Sequence, residues 1–383
     1  MNRKMRYLAT LDGDAIGRML DEWHGAHPGM GVLALLPEAE KDGVALLQQA
    51  CRQRGIRLAG GIFPALTEGA AFREQGCWLL CLENMPYLAL HENLPADAGG
   101  AAEAAAGIAA GIKTWLNGSQ QQVTLFMLFD AMVPIISSLL DELYLQLANR
   151  VHYAGANAGS ETFQPMPCLF DDERLVQNGV LTLLLVPHRG AILEHGYLVP
   201  AQTMTATSTE GNRIVQIDWR PAFEVYRELV QAQFDVEINR ENFYQYAVHF
   251  PFGILRANHN VVVRIPVALG DDGSLFCVGE VPPHSVLALL EAPNVDSEQT
   301  LQVLLDGLDE LNGELAGSEL LLFYCAGRRM HLGLDAATAE LRKLEQRSGA
   351  AQIAGALSLG EIGGSTLWGY PLFHNATLVA TKW

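Results

Sequence analysis

Apolar and polar positions alternate along this chain in a pattern that recurs three times. Apolar runs at 32–36, 123–129 and 319–325 have the length of buried strands, and each leads into a stretch with helical spacing. In the second copy Ile135, Ile136, Leu139, Leu140, Leu143 and Leu147 follow the 3.6-residue period. A short phrase comes next, apolar-Ala-Gly-small: Leu58-Ala59-Gly60-Gly61, Tyr153-Ala154-Gly155-Ala156 and Ile353-Ala354-Gly355-Ala356. A further strand-like run closes each copy, at 77–82, 180–186 and 375–381. The predicted unit is strand, helix, strand, turn, strand, and such a βαβ crossover needs a packed sheet beneath it. The glycines Gly60, Gly155 and Gly355 are expected at strand ends, where they either turn corners or wall a ligand pocket.

Between the copies, the Ala-rich stretch 98–115 reads as a connecting helix or a loose linker. Gly211-Asn212 between β-rich arms predicts a hairpin, and Pro221 opens a helix. The domain boundary is placed there: 1–218, holding two units at about 30–90 and 120–218, and then 219–383. The second part carries strand signals at 261–265 and 275–278, a turn at 271–274 and an amphipathic helix over 300–315. The expected fold class is α/β, an α+β mixture, in two domains built from repeated strand-helix-strand units.

Charge changes this picture most. The 383 residues carry 25 basic and 43 acidic side chains, a formal charge of -18, which opposes binding to nucleic acid or anionic lipid. No apolar run reaches the length of a membrane span, and the opening stretch meets Asp12 too early for a secretory signal core. A cytoplasmic protein is expected. Its six cysteines contain no CxxC pair and read as reduced, with Cys77 and Cys81 as core fillers.

The common signatures of catalysis are missing: no phosphate loop, dinucleotide fingerprint, zinc helix or nucleophile elbow. His24 and His27 form an HxxH without partner ligands, which makes a poor metal pair. Glu68, Glu161 and Glu361 each follow an Ala-Gly phrase, and Glu361, bracketed by Gly360, Gly363 and Gly364, is the best single carboxylate. Cys325 and Arg328 lie close enough in sequence for a lowered thiol pKa, although a thiol ending an apolar strand is more often a core filler. His188, His195 and His374 sit beside strand edges, where a neutral imidazole is either structural or an axial ligand for haem iron.

These phrases resemble the FIST family of sensory modules. The resemblance rests on Tyr153 to Gly159, His195-Gly196-Tyr197 and Gly211-Asn212 leading into Pro221-Ala222-Phe223-Glu224-Val225-Tyr226. It rests further on Cys325-Ala326-Gly327-Arg328-Arg329, Gly360-Glu361-Ile362-Gly363 and Phe373-His374-Asn375-Ala376-Thr377-Leu378, and runs from about residue 32 to the end. It implies a non-enzymatic intracellular sensor that binds a small ligand, at Gly60, Gly155, Asn157, Arg328, Gly355 and Glu361, and signals through a separate partner protein. Some members are haem proteins that sense nitric oxide and control a histidine kinase. For this chain that would mean haem b held by His188 or His195, its propionates near Arg189 or Arg213. The chain departs from the family pattern at Ala156-Asn157, in place of a second glycine, and at Tyr197, where Trp is common. A third reading, from another class, is an enzyme using Cys325, Arg328 and Glu361.

Overall fold

The computed structural model describes residues 3–119, 121–257, 260–291, 298–364 and 370–383. Three parallel strand pairs organise it: Gly31–Pro37 with Arg57–Phe63, Thr124–Asp130 with His152–Ala158, and Glu319–Cys325 with Gln352–Ser358. A helix crosses between the partners in each case, Val44–Arg52 in the first unit and Ile136–Leu147 in the second. In the third the crossover is Ala326–Leu332 followed by Leu334–Ser348. The closing strands Cys77–Leu82, Gly179–Leu185 and Leu378–Lys382 return antiparallel to the first strand of their own pair. The recurrence in the sequence is therefore a recurrence of structure.

Each unit has two parts beyond the predicted strand, helix, strand, turn, strand plan, and of these the amphipathic helix expected over 300–315 is one. A strand lies on the outer side of the closing strand: Met5–Leu8, Leu88–Glu92 and Ile192–Glu194. A helix precedes each parallel pair: Gly13–Ala26, Ala101–Leu116 and Glu298–Asn312. The Ala-rich stretch is the second of these, burying Ala105, Ile108, Ala109 and Ile112. The third unit is interrupted between its outer strand and this helix by an antiparallel layer. That layer contains Met204–Glu210, Arg213–Ile217, Phe252–Leu255, Val261–Arg264, Pro266–Leu269, Leu275–Cys277 and Val286–Leu289, with the helix Ala222–Phe234 against it. Backbone pairing thus continues across residue 218.

The units are tied together by exchange. Each projects a short hairpin out of its own sheet onto the second parallel strand of another. Leu66–Glu68 pairs with Gln352–Ser358, Glu361–Gly363 with His152–Ala158, and Leu169–Asp171 with Arg57–Phe63. The three transfers form a closed cycle. Phe323 packs against both Phe63 and Phe126, so rings from all three units meet in the core.

Gly60, Gly155 and Gly355 occupy one structural position, the fourth residue of the second parallel strand, in register with Ala34, Met127 and Leu322. They were expected at strand ends and lie mid-strand instead. A Cβ on Gly155 or Gly355 would collide with the carbonyl oxygen of Met127 or Leu322, and one on Gly60 with the Phe170 ring. Close approach of neighbouring strands, and no turn, requires these glycines.

Candidate functional site

The parallel strands of the third unit end at Cys325 and Ser358, and two short turns close over them. One turn carries Leu359 and Gly360, whose φ of 150° favours glycine; the other carries Asn375 and Ala376, with φ 57° at Ala376. Between them lies Glu361, fully buried. Its carboxylate accepts hydrogen bonds from the hydroxyls of Ser358 and Thr377, each at 2.5 Å, and from the Cys325 thiol. Burial outweighs these donors and pushes the Glu361 pKa up to about 7. The Cys325 thiol is also pushed up, by burial first and then by the Glu361 charge, while its sulfur accepts the Ala376 N–H at 3.0 Å.

Comparison among the units makes this cluster stand out. Glu361 pairs with the fifth residue of its neighbouring strand, Ala156; the same position is taken by Leu66 opposite Ala356 and by Leu169 opposite Gly61. Ser358 likewise replaces Phe63 and Ala158. Two units fill the place with hydrocarbon, and the third buries an ionisable group there. The second unit carries a related pair with the chemistry transposed. Asp130, in the position of Cys325, accepts the N–H groups of Met132 (2.9 Å) and Asn178 (2.6 Å) and a bond from the Cys168 thiol.

A cavity of about 50 Å³ adjoins the third-unit cluster. Its polar lining includes Cys325 and Asn375, and its apolar lining includes Leu359 and Phe163 together with Val248, Ile265 and Val278 from the inserted segment. Tyr244 and Met330, 60% and 42% exposed, stand at the mouth beside a forked ion pair between Arg329 and Glu161 at 2.8 and 3.0 Å. The lining is apolar with few directional groups, as small-molecule sites are.

The structure distributes the sequence candidates unevenly. Asn157 is buried behind Gly360, its backbone N–H donating to the Gly360 carbonyl at 2.8 Å; among the described residues its side-chain amide has no hydrogen-bond partner. Where Asn157 stands, the other units have Ile62 and Leu357. Glu68 pairs with Arg73 on the surface. Arg328, expected at an exposed loop or strand end, is a fully buried helical residue whose guanidinium forks onto Glu340 at 2.6 and 2.8 Å. Its remaining nitrogen donates to the carbonyl oxygens of His195 and Ala376, and the Tyr324 hydroxyl also donates to Glu340. That is a framework, because removing one partner strands a buried charge. Ser358, Asn375 and Thr377 were missed; single small polar residues among apolar ones carry no signal without the fold.

Neither His188 nor His195 fits haem, whereas the buried His374 leaves its Nδ1 without a hydrogen-bond partner among the described residues. His188 uses Nδ1 on the Thr124 hydroxyl (2.8 Å) and Nε2 on the Lys382 carbonyl (3.2 Å) and Thr381 (3.0 Å). His195 accepts the Tyr197 N–H on Nδ1 at 3.0 Å and bonds the Val261 backbone. Burial lowers both pKa values to about 4, so both rings are neutral, yet neither has a nitrogen left for iron. Arg189 is held by Gln122 and the Leu311 carbonyl, and Arg213 by Glu210 and Asp272. Among the described residues no three His, Cys, Asp or Glu side chains are grouped to hold a metal ion, His24 and His27 included.

Two family models cover the chain, the FIST N domain over residues 32–220 and the FIST C domain over 222–364. The chain belongs to the FIST family. No curated protein matches it. FIST domains are associated with sensory signal transduction, and this FIST protein is an α/β protein of two domains in the family's division. The models meet inside the inserted layer, so the candidate cavity draws on both: Glu161 and Phe163 from the N domain, and the rest except Asn375 from the C domain. Asn375 and Thr377 lie just beyond the second match. Among the described residues no helix is long and apolar enough to cross a membrane.

Proposed function

We propose that this FIST protein is a non-enzymatic cytoplasmic sensor that binds a small, mainly apolar ligand in the Cys325–Asn375 cavity and signals through a separate partner. One observation carries the reading. A buried carboxyl and hydroxyl, those of Glu361 and Ser358, back the cavity at two positions where both sister units are hydrocarbon, and a fold does not need that polarity for packing. The orphaned Asn157 amide close behind adds to it. The cavity lies at the carboxyl ends of parallel strands, where open α/β sheets take ligands. Its walls come from two units and the inserted layer, so occupancy can alter how these pack.

The enzymatic reading has less support. Burial keeps the Cys325 thiol protonated, and the Arg328 fork is committed to Glu340. The test is a thermal-shift screen against a panel of small apolar metabolites, followed by Met330→Trp and Leu359→Trp to fill the cavity. A ligand that raises the melting temperature of the natural protein and of neither variant supports the site. Equal shifts in all three would place the ligand elsewhere.

A further inference from the structure

The strand Arg213–Ile217 turns into Arg220–Pro221 through a two-residue loop, since Ile217 pairs with Arg220. Both loop residues are left-handed, Asp218 at φ 49° and Trp219 at φ 65°. Such a loop is suited to Asp followed by Gly. A bulky side chain at positive φ is strained, because its Cβ crowds the following carbonyl oxygen. Burial of the indole could offset that, but Trp219 is 75% exposed, level with the most exposed large apolar side chains described. The turn itself is well held without the indole. Asp218 receives the Thr205 N–H on its carboxylate, and the Trp219 N–H donates to the Thr207 hydroxyl, each at 2.9 Å. The fold therefore bears strain to display a tryptophan it does not pack.

We infer that Trp219 is the anchor of an interface with a partner protein that offers an apolar pocket rimmed by basic side chains. Exposed tryptophan is the residue type most often found to dominate such interfaces. The charge of the rim follows from complementarity. Around the loop stand the carboxylates of Asp218, Glu224 and Glu228, which outnumber the guanidinium groups of Arg220, forked onto Glu228 at 2.6 and 2.8 Å, and Arg227, which also acts on Glu228. The whole chain is at -18, which disfavours a second copy or an anionic membrane as the occupant. The inference rests on the reading that this protein signals through a partner, but not on where its ligand binds.

Three variants of the full chain separate display from structure: Trp219→Ala keeps the strain and removes the indole, Trp219→Gly removes both, and Trp219→Phe keeps a ring. The natural protein and the Ala variant are used as paired baits, and any prey recovered only by the former is identified, purified and titrated. Expected are a melting temperature unchanged in the Ala variant and raised by about 1–4 °C in the Gly variant. With the purified partner, binding should weaken at least about 30-fold in both, less in Phe, and fall with added salt. The inference is overturned if both small variants melt lower, if no prey distinguishes the baits, or if the purified partner binds all forms equally. It is also overturned if Trp219→Ala dissolves a dimer seen by light scattering, or if zwitterionic phosphatidylcholine vesicles bind the natural protein and not the variant. Retained ligand shifts in the cavity alongside lost partner binding would leave the sensor reading intact; lost shifts with retained partner binding would do the reverse.

Discussion

Glu361 has the most to say at the scale of single residues. Its pKa in the folded protein is raised to about 7 from an ordinary 4.5, so the folded state binds its proton more tightly than the unfolded chain does. Stability from this group is fully present below pH 4.5 and is lost as pH rises to about 7. Glu361→Gln, which keeps partners for Ser358 and Thr377, should therefore flatten the pH dependence and gain roughly 3 kcal/mol over the natural protein at pH 8. Urea titrations at pH 5 and pH 8 measure it, and an unchanged slope in the variant would mean that another group titrates. Arg328→Ala should act oppositely, costing about 3–5 kcal/mol at neutral pH by stranding Glu340, and Arg328→Lys should recover only part because it cannot fork. The sequence exposed Glu361 as a candidate through its glycine brackets, whereas the burial of Arg328 could not be seen in it. An arginine after a strand looks the same whether its partner is water or a carboxylate twelve residues on, in the next helix.

Among elements, the parallel strand pairs and their closing strands were legible because each is a continuous apolar run, buried on both faces. The outer strands were not: Met5–Leu8 and Leu88–Glu92 are short and half-buried, and lack a period long enough to count. Nor were the exchanged hairpins, whose pairing is specified by strands far away in sequence. The Ala-Gly phrase was found for its recurrence, yet its reason was misplaced, since a mid-strand glycine and a turn glycine have the same neighbours in a sequence. Gly155→Ala and Gly355→Ala test the reason now given. Each should destabilise by about 2 kcal/mol or more, because the obstacle is a carbonyl of the adjacent strand that cannot move without breaking the ladder. Gly211→Ala, at φ 60° but with open space around it, should cost less. Chemical denaturation of the three variants ranks them, and equal losses would mean that the strand contact is not decisive.

For the whole molecule, the closed cycle of hairpins makes the three units one cooperative structure. Differential scanning calorimetry should show the core of the protein melting in a single transition, with the inserted layer alone free to melt separately. A fragment of residues 1–218 should fail to fold stably, since its strand His152–Ala158 would lose the hairpin that covers its edge. A monomeric, cooperatively melting fragment would show that the exchange is dispensable.

The same cycle sets a timetable for synthesis. Leu66 pairs with Ala356, so the first hairpin leaves the ribosome about 290 residues before its partner strand does. At ordinary elongation rates that is an interval of about 15–60 s. Throughout it an edge of Leu66–Glu68 is open to pairing with any other nascent chain, and the apolar face of the first sheet awaits rings from units not yet made. Ribosome-bound chains halted before the third unit should thus be bound by chaperones and cut readily by protease, and the strand Gln352–Ser358, which covers that edge, is what ends both conditions.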